Sequence, residues 1–115
     1  MNWYIAKLVF NINISNGKDT AQFDEQLRLI EAASPADAFF RARTIGRKEE
    51  DEFVNNNNDT INWTFIDVAD IKAVPEFSHG TPVYSFTHID QDAVDYISFI
   101  RRKAMYLQTR DMAFA

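Results

Sequence analysis

Apolar and polar residues alternate over Trp3 to Ile14, with Tyr4, Ala6, Leu8, Phe10, Ile12 and Ile14 on one side and Trp3, Ile5, Lys7, Val9, Asn11 and Asn13 on the other. A period of two predicts a strand. Asn16-Gly17 can supply the positive φ angles of a hairpin turn, so the chain is expected to return antiparallel through QFDEQLRLIEA, Gln22 to Ala32. The pattern then changes to a helical one over ASPADAFFRARTIGRKEEDEFV, opened by Ser34 as N-cap, Pro35 at the first helical position and Asp37 in the first turn. The run NNNND has no apolar period and ends that helix. INWTFIDVADIKAV and TPVYSFTHI predict a third and a fourth strand, separated by a loop marked by Pro75 and Gly80. A last helix starts at Asp90 or Asp92 and runs to about Arg110, with Asp92 and Asp95 early and Arg101, Arg102 and Lys103 late, the order the helix dipole favours.

The element order ββαββα predicts an α+β two-layer sandwich: a mainly antiparallel four-stranded sheet with two helices on one face and the other face uncovered. A chain of 115 residues can bury roughly 65% of its unfolded surface, enough for a core without metal or disulfide. Residues 1–115 are therefore read as a single domain. The hydrophobic share of 46% belongs to a folded protein rather than a disordered one.

Charge and chemistry narrow the function classes. Twelve Lys and Arg against 17 Asp and Glu leave a formal net charge of −5, which repels nucleic-acid phosphates and anionic membranes. With no Cys, thiol catalysis, thiolate metal sites and disulfides are excluded. The N-terminus carries no basic region followed by an unbroken apolar run, and no apolar segment approaches ~20 residues, so a soluble cytoplasmic protein is expected, away from the membrane. His79 and His88 have neither helical ligand spacing nor thiolate neighbours. No Gly-rich phosphate loop or nucleophile elbow occurs either. No cofactor and no metal are expected.

The stretches WYIAKLVF, QFDEQLRLIEA, SPADAFFRARTIGRKEEDEF, WTFIDVADI and VYS together resemble an uncharacterised bacterial family, domain-of-unknown-function family 4288. The likeness covers roughly Trp3 to Ser85 and only weakly the last helix. It implies kinship and transfers no activity and no catalytic residue.

The candidate residues come from the residues themselves. Glu49 falls in the helical apolar arc of Ala38, Ala42, Ile45 and Phe53, which would turn it to the sheet, where a carboxylate needs a partner. Arg28 on the second strand is the leading one. Asp24, Gln26 and Arg28 share one face of that strand, either as a solvated surface with cross-strand pairs or as a recognition surface. These four form the candidate polar site; no residue is assigned as catalytic. Phe40 lies opposite the helical arc, Phe99 and Tyr106 lie off the stripe of Ala93, Ile97, Ile100, Ala104 and Leu107, and Trp3 belongs to the uncovered sheet face. Such surplus aromatics mark a candidate interface. The expected function is a small non-catalytic interaction or regulatory module, self-associating as a homodimer, with an unidentified protein as further partner. The alternative is a small acid–base enzyme or ligand-binding protein with a pocket near Glu49 and Arg28. A third, nucleic-acid binding through Arg101, Arg102, Lys103 and sheet aromatics, runs against the net charge.

Overall fold

The computed structural model describes residues 1–15 and 21–111. The elements are β1 (Asn2–Ile14), β2 (Gln22–Ala32), α1 (Pro35–Lys48), β3 (Asp51–Val54), β4 (Thr60–Val74) and α2 (Ala93–Asp111). The turn expected at Asn16-Gly17 lies outside the described residues. The chain divides into two compact units, Met1–Ser85 and Phe86–Ala115.

In the first unit the four strands form one antiparallel sheet in the order β2-β1-β4-β3. β1 is central because its alternation is the most apolar. Tyr4, Ala6, Leu8 and Phe10 are buried on one face, and Ile5 is buried on the other. β1 and β2 pair without a register shift. Against β1, β4 shifts register between Lys7 and Leu8 and again between Val9 and Phe10, leaving Ala69 and Ile66 as the extra residues of two β-bulges. Bulges of this kind bend and twist a strand, and the sheet curls around α1.

α1 packs on the face of Tyr4, Ala6, Leu8 and Phe10. Ser34 accepts from the Asp37 backbone N–H at 3.1 Å, Asp37 accepts from the Ala33 N–H at 2.9 Å, and Pro35 opens the helix. Ala38 and Ala42 are wholly buried against the sheet with Ile30, Ala32 and the partly buried Ile45, Phe65 and Val68. Gly46 completes the small-residue stripe, and a Cβ there would collide with the Phe65 ring. Tilted contacts of Phe10 with Phe65 (5.4 Å) and Trp63 (6.1 Å) fill the rest of the layer.

Two elements depart from the sequence reading. The helix stops at Lys48, and Asp51–Val54, expected within it, is the edge strand β3 paired with Thr60–Trp63. The acidic run Glu49 to Glu52 sits at the helix C-terminus, where like charge meets the negative end of the dipole. Phe53 and Val54 have the higher β preference. Residues 81–89 are not a strand. Instead Tyr84 donates its hydroxyl to Asp70 Oδ2 at 3.1 Å and Phe77 meets the edge of Trp3 at 5.7 Å. The sheet face expected to be uncovered thus carries the chain that follows β4.

The second unit is built on α2, which Asp92 caps by accepting from the Asp95 N–H at 3.0 Å. Residues 93–110 of it are exposed. No helix among the described residues is long and apolar enough to cross a membrane.

Candidate functional site

Strand alternation sets Asp24, Gln26, Arg28, Ile30 and Ala32 on the α1 face of β2, opposite Phe10, Leu8, Ala6, Tyr4 and Asn2 of β1. Ile30 and Ala32 are buried under the helix, whereas the three polar residues run on toward its C-terminal end. They bond in series. Gln26 Nε2 donates to Asp24 Oδ2 at 2.6 Å, and Arg28 Nη1 donates to Gln26 Oε1 at 2.9 Å. The guanidinium then grips Glu49 with both arms, Nη1 to Oε2 at 2.8 Å and Nη2 to Oε1 at 2.7 Å. The four candidate polar residues therefore meet in one ladder from the strand to the helix end.

Glu49 does not sit within the helix facing the sheet. It is the C-cap of α1, with its backbone N–H donating to the Ile45 and Gly46 carbonyls. The Arg28 and Glu49 side chains keep 33% and 39% of their exposure. Arg28 finds three favourable neighbours at this spot: the Glu49 carboxylate, the Gln26 amide and the negative end of the helix dipole. The hydrogen bond from Arg28 holds the Glu49 carboxyl below its usual range, and the same bond raises Arg28. That is the electrostatics of a latch. A general acid or base instead needs a pKa near the working pH.

Two further polar groups were not singled out by sequence. Arg43 holds Asp67 bidentately at 2.9 and 2.8 Å while its guanidinium lies 4.5 Å from the centre of the Phe39 ring. Asp67, bonded by Arg43 and by the Val68 N–H, drops to about 2. On the opposite sheet face Lys7 pairs with Glu25 at 3.0 Å, and the Tyr84 hydroxyl, raised first by burial and then by its bond to Asp70, closes over β4. The spacing of Asp67 and Asp70 in IDVAD, three rather than two, was the available signal, because an odd spacing along a strand sends two side chains to opposite faces.

Of the candidate interface aromatics, Trp3 and Phe40 belong to the first unit and Phe99 and Tyr106 to the second. Trp3 is half-buried against Phe77, on the sheet face opposite α1, whereas Phe40 projects from α1 with 61% of its surface exposed. On α2, Lys103 Nζ lies 4.9 Å from the Phe99 ring centre and the Arg110 guanidinium 5.8 Å from that of Tyr106. A different apolar row stands out. Phe23, Leu27 and Leu29, on the back face of β2, keep 57%, 51% and 49% of their surface exposed. Among the described residues no group of three His, Asp or Glu side chains is arranged to hold a metal ion.

A family model described as a domain of unknown function (DUF4288) matches residues 3–85. No curated protein and no solved structure matches the chain.

Proposed function

The chain is a member of the DUF4288 family, and on that premise, which fixes kinship and no activity, we propose that it is a small cytoplasmic interaction module that self-associates and performs no catalysis of its own. The observation that carries this reading is the row Phe23, Leu27 and Leu29, about half exposed along a strand at the edge of the sheet. An apolar row beside unpaired strand backbone favours association. The polar ladder supports the same reading from the other side, since Asp24, Gln26, Arg28 and Glu49 spend hydrogen bonds on one another.

The acid–base alternative asks Glu49 to titrate near neutrality, and its bond to Arg28 moves it the opposite way. Multi-angle light scattering of the purified chain at micromolar concentration tests the proposal: twice the 13.3 kDa chain mass is expected. A monomer across the micromolar range refutes self-association.

A further inference from the structure

We propose that two copies join through their β2 strands, antiparallel about a two-fold axis at Gln26, so that two four-stranded sheets become one of eight strands. This rests on the self-association just proposed and names the surface and register that perform it.

β2 ends the sheet, and no strand pairs with its outer side among the described residues. It is 11 residues long. Two devices that blunt a sheet edge are missing: Gln22–Ala32 contains no Pro, and its pairing with β1 has no bulge to twist it away. Its row of outward N–H and C=O groups is a template for a further strand.

The sequence of β2 says which strand fits. In an antiparallel pair, residues directly opposite share a face, so a two-fold axis must pass through a residue position. Centred on Gln26, Asp24 of one copy meets Arg28 of the other, and this happens twice. On the back face Phe23 meets Leu29 and Glu25 meets Leu27, each twice, and on the α1 face the two Gln26 amides face each other. Neighbouring registers do worse. An axis at Leu27 sets Asp24 against Ile30 and Phe23 against Glu31; one at Glu25 opposes two carboxylates; one at Arg28 opposes two guanidinium groups and also Glu25 to Glu31. Among these four registers, only the one at Gln26 brings opposite charges together, and cross-strand charge pairs of this kind select register.

The side chains can make the new pair without giving up the old one. Arg28 uses two donors on Nη1 and one on Nη2 for Gln26 and Glu49, which leaves its Nε–H and one Nη2–H. Asp24 accepts from Gln26 through Oδ2, which leaves Oδ1. A groove of about 280 Å³ straddles the same edge, lined by Leu29 and Glu31 from the back face, Ile30 from the front and Arg41, Thr44 and Ile45 from α1.

Because the chain has no Cys, single introduced thiols report register directly. Gln26→Cys, Leu27→Cys and Glu31→Cys would each be oxidised mildly in the full chain and run without reductant. Gln26→Cys is expected to give a reducible covalent dimer as the main species, and the other two to stay uncrosslinked. Asp24→Lys sets two cations against two others and is expected to raise the dimer dissociation constant at least tenfold by sedimentation, with an unchanged circular dichroism spectrum. A dimer crosslinked at Leu27→Cys or Glu31→Cys instead, or one indifferent to Asp24→Lys, overturns the interface while leaving self-association standing. A monomeric wild type overturns both.

Discussion

Gly46 shows how one missing methyl can set the distance between two layers. Ala is the better helix former by about 1 kcal/mol, so propensity alone would make Gly46→Ala stabilising. The new Cβ would collide with the half-buried Phe65 ring, and overpacking of this sort costs about 1–3 kcal/mol. The steric term wins because the ring is held against Phe10. Urea denaturation is expected to show a net loss of about 1–2 kcal/mol, reduced when Phe65→Leu is made in the same chain. A neutral Gly46→Ala would mean that the layers can separate freely. For Glu49 the magnitude is smaller. An enclosed pair loses about 3–5 kcal/mol when one partner is removed, but Arg28 and Glu49 are one-third or more exposed, so Glu49→Gln is expected to cost about 0.5–1 kcal/mol, the upper range for solvated pairs. Asp67 adds a pH dependence. Its folded value of about 2 lies below the ordinary 3.8, so its contribution is complete above the ordinary value and is lost as pH falls through the folded one. The stability difference between wild type and Asp67→Asn is therefore expected to narrow between pH 3.8 and about 2; a gap independent of pH would contradict the Arg43 bond as its source.

The elements differ in how firmly they are held. β1 is paired on both sides and contributes Tyr4, Ala6, Leu8 and Phe10 to the core, whereas β3 has four residues, all exposed, and one neighbour. Hydrogen exchange should therefore be slowest in β1 and markedly faster in β3; equal protection would show that the edge strand unfolds only with the whole sheet. The same contrast explains what could be read from sequence. β1, β2 and the start of α1 were legible because long alternation and a Ser-Pro-x-Asp cap are local signals. β3 was not, because four residues are too few to show a period and Phe53 extends the helical arc of Ala38, Ala42 and Ile45. The apolar alternation of residues 81–89 suggested a strand, yet its Tyr84 is occupied across the sheet by Asp70. At the candidate site, the shared face of Asp24, Gln26 and Arg28 was legible from alternation. The exposure of Glu49 was not, since it depends on where the helix stops.

At the scale of the molecule, the family match ends at residue 85, where the first compact unit ends. The chain over residues 86–92 has no helix or strand and is exposed, which is where proteases cut. Limited chymotrypsin digestion is expected to cleave first at Phe86 and leave a resistant fragment carrying β1 to β4; first cleavage within the sheet would deny the unit boundary. The two bulges of β4 bear on a further matter, the tolerance of the coding sequence to change in length. Ile66 and Ala69 are extra to the pairing with β1, so an in-frame loss of either codon leaves the remaining residues opposite their present partners and costs curvature only. A codon lost from the middle of β1 reverses every side chain beyond it, sending core residues to the outer face on both sides at once. Across the lineage, length polymorphism should therefore collect in β4 and be purged from β1.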